Sequence, residues 1–164
     1  MSVPTVDNLR FVAVSQDDPL AEPLLAELTV EYASRYGVAE EHVSTWLRGY
    51  PADEFAPPSG GLLIGLLGKE PVTGGAFCRF DDSTAELKRI WTDGRHRRQG
   101  HAKALLVALE AEIAARGYRR IYLTTGDRQP EAEALYLSTG YTRLAEPLPA
   151  EGDVFPIAFV KALP

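Results

Sequence analysis

The sequence predicts a mixed-sheet α/β (α+β) domain with the element order β-α-α-β-β-β-α-β-α-β-β, six to seven strands and about four helices. Apolar residues return at helical spacing in the long segments 19–36 and 99–116, whereas shorter runs rich in Val, Ile, Tyr and Thr predict strands. A strand–helix–strand unit over 84–124 requires a right-handed crossover between two parallel strands. The hairpin predicted over 61–80 makes the neighbouring part of the sheet antiparallel.

The N-terminal half is predicted to contain a strand, two helices and a hairpin. In chain order these are strand 9–14, helix 19–36, helix 40–50, strand 61–67 and strand 74–80. Gly37 ends the first helix and Pro51 the second, because glycine accepts a left-handed backbone and proline disfavours a helical residue before it. The turn 68–71 joins the two hairpin strands.

The C-terminal half contains the crossover unit and the strands that close the sheet. Its predicted elements are strand 84–92, helix 99–116, strand 119–124, a helix from Pro130 to Gly140, and strands 141–144 and 154–161. Helix 99–116 carries an apolar stripe at Ala102, Leu105, Leu106, Leu109 and Ile113. We therefore expect this helix to pack along one face of the sheet.

Length and composition favour one globular domain covering residues 1–164. The net charge of −6 argues against nucleic acid as a partner and is compatible with a cationic amine. The single cysteine, Cys78, excludes an internal disulfide. The N-terminus lacks the pattern of a signal peptide, and the longest apolar run, 62–67, is too short to span a bilayer. We expect a cytoplasmic protein without a membrane partner.

The segment 92–103 is the most informative part of the sequence, because it links a strand to a long helix and is rich in basic residues. The first turn of a helix presents unpaired N–H groups and a partial positive charge, which together bind anions. Gly100 permits close approach of a phosphate, and Arg97, Arg98 and Lys103 supply charge. The alternative is that these residues only solvate the helix start. Their unfavourable position near the positive end of the helix dipole favours the anion site.

Other phosphate and metal motifs fit less well. Gly68-Lys69 is followed by Glu70, so it is not a Walker A loop, and Gly100 alone does not make a dinucleotide fingerprint. The three histidines, His42, His96 and His101, lack the spacing of metal ligands, so no metal is expected.

Three segments in order resemble the GNAT superfamily of N-acyltransferases. The loop 97–102, Arg-Arg-Gln-Gly-His-Ala, matches that family's acyl-CoA motif, and the strand 85–92 is similar to its central strand. The segment 124–141 resembles its second cofactor segment, with Ala132, Leu135-Tyr136 and Gly140-Tyr141 at the family's spacing. The resemblance implies an acetyl-CoA-dependent N-acetyltransferase with coenzyme A as cosubstrate.

The resemblance also implies where the cofactor lies. Backbone groups of Ile90 and Thr92 would bind the pantetheine arm like an added strand, and backbone N–H groups of residues 98–103 would bind the pyrophosphate. The complete set of expected cofactor residues is Ile90, Trp91, Thr92, Arg97, Arg98, Gln99, Gly100, His101, Ala102, Lys103, Thr125 and Gln129. A β-bulge that parts the two parallel strands would expose an N–H on the stretch 90–92 as the oxyanion donor.

Glu86 and Tyr136 are the candidate catalytic residues. Glu86 would accept the proton of the attacking amine, preferably through water, and Tyr136 would protonate the leaving thiolate. The alternatives are a strand carboxylate paired with Lys88 or Arg89, and a core aromatic. Strict alternation would place Glu86 on one face with Lys88, Ile90 and Thr92.

The acceptor is expected to be a primary amine of a small molecule or peptide, bound by the N-terminal helices and the loop 53–60. Candidate lining residues are Tyr32, Tyr36, Trp46, Asp53 and Glu54. Two other functions stay open at this stage: a non-catalytic acyl-CoA-binding regulatory module, and an interaction domain for another phosphate ligand. A homodimer formed through the closing strands is a further option, since an exposed sheet edge favours pairing.

Overall fold

The computed structural model describes residues 8–126, 130–149 and 155–164. Its helices and strands follow the predicted order. They are β1 (Leu9–Ala13), α1 (Glu22–Tyr36), α2 (Glu40–Arg48), β2 (Gly61–Leu67), β3 (Glu70–Asp81), β4 (Thr84–Thr92), α3 (His101–Ala115), β5 (Arg120–Thr125), α4 (Pro130–Ser138), β6 (Thr142–Arg143) and β7 (Ile157–Ala162).

The described strands form one seven-stranded sheet with the order β1-β2-β3-β4-β5-β7-β6. Strands β1 to β4 are neighbours in the sheet in chain order, and each pairs antiparallel with the next. The crossover through α3 makes β4 and β5 parallel, as the sequence predicted. β7 then inserts antiparallel between β5 and β6.

Apolar side chains on the two faces of the sheet form two separate cores. The α1-side core lies under α1 and α2 and includes Leu24, Leu28 and Leu47 with Trp91 of β4. The α3-side core lies under α3 and α4 and includes the predicted stripe of α3 from Leu105 to Ile113. Neighbouring strand residues alternate between the two cores, as the pleat of a strand requires. The central sheet is therefore buried on both faces.

Two helices begin later than their periodicity suggests, and each has a local cause. Residues 19–21 form a 3₁₀ turn in which Asp18 accepts a hydrogen bond from the backbone N–H of Leu20 at 2.9 Å, before α1 starts at Glu22. α3 starts at His101 rather than residue 99, because Gly100 has a φ of 82° and precedes the helix in a left-handed conformation. The left-handed residue Gly100 therefore marks the boundary between the loop and α3.

The hairpin turn is shorter than predicted. β3 begins at Glu70, so only Gly68 and Lys69 remain between the two strands. Gly68 has a φ of 61°, which suits a tight turn. None of the helices within the described ranges is long and apolar enough to cross a membrane.

Candidate active site

A cavity of about 720 Å³ opens where β4 and β5 separate. The two strands pair only from Thr84–Glu86 of β4 with Arg120–Tyr122 of β5, and they diverge beyond that point. The walls come from β4, the loop before α3, the start of α3, the end of β5, α4 and α1. The lining residues are Glu31, Tyr32, Leu87, Lys88, Arg89, Ile90, Trp91, Thr92, His96, Arg97, Arg98, Gly100, His101, Ala102, Lys103, Leu123, Thr124, Thr125, Glu131, Ala132, Leu135, Tyr136 and Phe155.

A β-bulge in β4 lies at the point of divergence. Gly74 pairs with Trp91 and Ala76 pairs with Lys88, so Gly75 opposes both Arg89 and Ile90. Arg89 has a φ of 63°, an unfavourable conformation for a residue other than glycine. The extra residue bends β4 away from β5, which confirms the bulge that the sequence analysis invoked.

The bulge also corrects the predicted alternation. Ile90 contacts the α3-side core, whereas Lys88 lies over the Tyr50 ring on the α1 side, with its Nζ 5.6 Å from the ring centroid. The prediction that Ile90 shares a face with Glu86 and Lys88 is therefore wrong. The physical reason is that one inserted residue reverses the two-residue period of a strand.

The start of α3 has the features of an anion-binding site. Gly100 occupies the N-cap position and supplies no side chain, and the first turn contains no acidic residue. Its leading N–H groups are therefore available to an outside acceptor. Arg97 and Arg98 lie just before this turn, Lys103 lies within it, and all three line the cavity. The group fits a pyrophosphate by charge and by hydrogen-bonding capacity.

His101 adds a polar group to this end of the cavity. The residue is only 5% exposed, and neither ring nitrogen has a hydrogen-bond partner among the described residues. Burial, followed by the nearby His96, lowers the pKa of His101 below its usual value. The imidazole is therefore neutral at physiological pH and offers one N–H donor and one acceptor.

Ion pairs connect α1 to the loop before α3 and to α4 across the cavity. Glu31 lies 3.5 Å from Arg97 of the loop and 3.1 Å from Arg35. Arg35 also pairs with Glu131 of α4. Each of these two acidic cavity residues is thus bound to an arginine.

Tyr136 lies at the opposite wall of the cavity, on α4. The residue is 5% exposed, and its ring packs against Tyr141 and Phe159 with both centroids 5.6 Å away. Burial, with a smaller effect from Tyr32, raises the pKa of Tyr136 well above its usual value. The hydroxyl therefore keeps its proton at neutral pH, as a proton donor must.

Glu86 lies beside the cavity rather than in its wall. Its side chain is 17% exposed, and one carboxylate oxygen lies 3.6 Å from Nζ of Lys88, which does line the cavity. Burial raises the pKa of Glu86 despite the opposing effect of Lys88. The partly desolvated carboxylate is compatible with the candidate base and the ion pair with the alternative interpretation, so the role of Glu86 stays a prediction.

Most of the predicted cofactor residues lie together around this cavity. Trp91 lines it even though its side chain is 2% exposed and belongs to the α1-side core. Gln99 is exposed and is not among the lining residues. Gln129 lies outside the described residues.

The predicted acceptor residues divide into two groups. Tyr32 lines the cavity and packs against Tyr36 and Trp46, at centroid distances of 6.5 Å and 6.4 Å. Asp53 instead lines a separate cavity of about 400 Å³ next to β2 and the end of α3, and Glu54 lines neither cavity. Both residues belong to the 3₁₀ turn Ala52–Phe55, and neither lines the cavity between the splayed strands, so their role at the acceptor stays a prediction.

Sequence reasoning missed Arg89 and Glu31 as cavity residues. Two consecutive charges, Lys88 and Arg89, inside an otherwise alternating strand were a usable signal for the bulge. Glu31 had no such signal, since a glutamate on an amphipathic helix is normally a solvated residue.

Comparison with known proteins places the chain in a family. Residues 24–141, well over half of the chain, match the model of the acetyltransferase (GNAT) family, so the chain belongs to that family. Human N-acetyltransferase 8 is 35% identical over 89 residues, which are 51% of this chain and 36% of the relative. Rat N-acetyltransferase family 8 member 2 is 29% identical over 119 residues, 73% of this chain and 45% of the relative. The chain thus spans less than half the length of these curated relatives.

Solved structures agree on the fold. A GNAT-family acetyltransferase from Staphylococcus aureus has a TM-score of 0.79 at 15% identity, and the match covers 95% of this chain and 99% of that protein. The PaiA N-acetyltransferase of Thermoplasma acidophilum, solved with coenzyme A, has a TM-score of 0.72 at 14% identity, covering 94% and 99%. A GNAT acetyltransferase from Elizabethkingia anophelis, solved with acetyl-CoA, has a TM-score of 0.66 at 19% identity, covering 96% and 99%.

Proposed function

We propose that this chain transfers an acetyl group from acetyl-CoA to a primary amine by direct attack, with Glu86 as a water-mediated base and Tyr136 as the acid. One observation carries the proposal. The splayed end of β4 and β5 and the uncapped start of α3 face a single cavity of about 720 Å³. An acyl-CoA needs both features, because its pyrophosphate requires N–H donors and its pantetheine requires free strand edges.

The thioester supplies an activated acyl carbon and a good leaving group. The amine nitrogen attacks that carbon, the C–S bond breaks, and the new C–N bond completes the amide. Backbone N–H groups of the stretch 90–92 lie on the bulged strand and would stabilise the developing oxyanion.

Proton transfer is assigned to the two candidate residues. The raised pKa of Glu86 makes this carboxylate a better base than an exposed one. Proton transfer from the amine to Glu86 through a water chain is therefore less unfavourable in free energy. The proton of the Tyr136 hydroxyl passes to the thiolate sulfur as it leaves. The products are the N-acetylated amine and free coenzyme A.

Cofactor binding is tested with a matched pair of glycine variants. Gly100 and Gly68 both have a left-handed backbone, with φ of 82° and 61°, but Gly68 is exposed in the hairpin turn. G100W is expected to abolish acetyl-CoA binding in calorimetry, because the indole blocks the start of α3, while G68W binds normally. Equal affinity in both variants would reject the site.

Turnover is tested by release of free coenzyme A thiol with a panel of amines. An enzyme releases thiol only when an accepted amine is present. Binding of acetyl-CoA without turnover of any amine would instead identify a regulatory module. ATP and NAD in the same calorimetric experiment distinguish an acyl-CoA site from a general phosphate site.

A further inference from the structure

Arg89 is a partly buried cation without a counterion among the described residues. Its Nη1 is buried and has no hydrogen-bond partner, and its Nη2 donates to the backbone carbonyl of Leu47 at 3.0 Å. The guanidinium carbon lies 5.4 Å from the ring centroids of both Tyr50 and Phe55. These contacts hold the group in place but do not neutralise it, and a desolvated charge without a counterion is unfavourable.

The titratable neighbours of Arg89 are neutral at physiological pH. Burial, the largest effect in each case, raises the pKa of Tyr32, Tyr50 and Cys78 to about 12. Burial also lowers the pKa of Arg89 itself, yet a guanidinium remains charged. Glu54 and Glu86 also act on Tyr50, but neither forms an ion pair with Arg89 among the described residues.

The carboxylates around the cavity are bound to other cations. Glu86 pairs with Lys88 at 3.6 Å, and Glu31 pairs with Arg35 and Arg97. Glu131 pairs with Arg35 as well. Within the described ranges, none of them forms an ion pair with Arg89.

Arg89 lies at the acceptor side of the cavity, not at the phosphate end. It lines the cavity from the bulge of β4 and is tied to α2 through Leu47. The free N–H groups that would bind the pyrophosphate lie at the start of α3, beyond the end of β4. Pantetheine and the acetyl group carry no charge, so the cofactor offers no anion to Arg89.

Aromatic side chains complete the surroundings. Tyr32 and Phe155 line the cavity, Trp46 packs on Tyr32 at 6.4 Å, and Tyr36 lies 6.2 Å from Phe155. Trp46 is 46% exposed, which is unusual for so large an apolar side chain. These rings form an aromatic wall, and Tyr32 is the member that interacts electrostatically with Arg89.

We infer that the acceptor carries a carboxylate next to its amine, and that Arg89 binds this carboxylate while the aromatic wall receives an apolar side group. The substrate class is then an apolar α-amino acid rather than a polyamine. This inference rests on the proposed acetyl transfer. The strained backbone at Arg89 is consistent with a functional position, because such strain persists where the surroundings hold it in place.

The experiment compares matched acceptors that differ only in the carboxylate. The pairs are L-phenylalanine, L-leucine and L-methionine, each with its carboxamide, and spermidine is included as a polyamine. In each pair, the ammonium group of the carboxamide has the lower pKa, so a larger fraction of it is free amine at neutral pH. The protonation of the amine alone would therefore favour the carboxamide. A preference for the acid therefore reports recognition of the carboxylate.

The variants are Arg89→Gln and Arg89→Lys, with Arg10→Gln as the control because Arg10 is exposed on β1. Glutamine keeps an amide donor for Leu47, and thermal unfolding checks that each variant is folded. The expected result is a kcat/KM for the acid about ten- to 100-fold above that for the amide in the wild type. That ratio should fall to near one in R89Q, recover in part in R89K and stay unchanged in R10Q. Acetyl-CoA affinity should not change in R89Q.

Two outcomes overturn the inference while the proposed function stands: turnover of amides or spermidine at least as fast as the acids, or an acid preference that survives R89Q. If no amine is acetylated, the proposed function fails, and calorimetry on the coenzyme A complex decides the inference separately. N-acetyl-L-phenylalanine should then bind the wild type about tenfold or more tightly than R89Q does, and equal binding overturns it.

Discussion

Replacing Tyr136 with phenylalanine separates its proposed chemistry from its packing. The ring is 5% exposed and lies between Tyr141 and Phe159, and phenylalanine keeps both contacts. Only the hydroxyl is lost, so we expect the free energy of unfolding to change by less than about 1 kcal/mol. A large loss of activity would then report the hydroxyl and not the fold.

The expected rate effect follows from the leaving group. General acid catalysis typically contributes about 10²- to 10⁴-fold. A thiol with a pKa of about 8.5 leaves readily as a thiolate at neutral pH, so the loss belongs at or below the low end of that range. We expect kcat to fall about ten- to 100-fold, which corresponds to about 1.4 to 2.7 kcal/mol in activation free energy. The KM for acetyl-CoA should change little, because the hydroxyl acts on the sulfur only as the bond breaks.

The assay is single-turnover release of coenzyme A thiol, which isolates the chemical step from product release. Tyr141→Phe is the matched control. Tyr141 belongs to the same core, but its hydroxyl donates to Glu110 at 3.0 Å and it is not among the cavity residues. Y141F should lose about 1 kcal/mol of stability and keep its kcat. Wild-type kcat in a folded Y136F enzyme would refute the acid role.

Three further predictions concern the base, a cap and the core. Glu86→Gln should lower kcat/KM about 100-fold near neutral pH, and this deficit should shrink as pH rises because the amine then loses its proton unaided. Burial raises the pKa of Glu86, so its negative charge opposes folding. Calorimetry should therefore show no drop in Tm for this variant. Asp93→Asn should cost about 0.5–1 kcal/mol, because asparagine can still accept the backbone N–H of Arg95 at 2.8 Å but loses the negative charge that pairs with the Arg95 guanidinium at 3.3 Å. Burial raises the pKa of Asp93, but the bonds from Arg95 outweigh it, so the net pKa is lowered; the difference from wild type in urea unfolding should vanish as pH falls through that pKa, and persistence in acid would contradict it. Leu109→Ala should cost about 2–5 kcal/mol in the same titration, since Leu109 is fully buried.

Local sequence signals were sufficient for the element order and for the candidate cofactor loop. The stripe from Leu105 to Ile113 became the buried face of α3, and β4 spans Thr84–Thr92 as predicted. These signals are short-range, because helical and strand periods and turn residues depend on neighbours in the chain. The loop 97–102 was recognisable for the same reason, since its chemistry lies within one turn of a helix.

The acceptor side was decided only by tertiary structure. Asp53 and Glu54 looked suitable for a cationic amine in sequence, but neither is among the residues that line the larger cavity, whereas Arg89 is. Arg89 acquires its surroundings from Leu47 of α2 and from Tyr50 just after that helix, which lie some forty residues earlier in the chain.

Residues close together in the chain were enough to predict a mixed sheet with a crossover helix and a basic, glycine-containing loop at the start of that helix. The tertiary structure alone decided which charges are compensated. An ion pair such as Glu31 with Arg97 joins residues of different elements at 3.5 Å, and its absence at Arg89 among the described residues is visible only after α1, α2 and β4 have packed together. Electrostatic balance depends on distance and burial, and neither quantity is encoded in the spacing of residues along the chain.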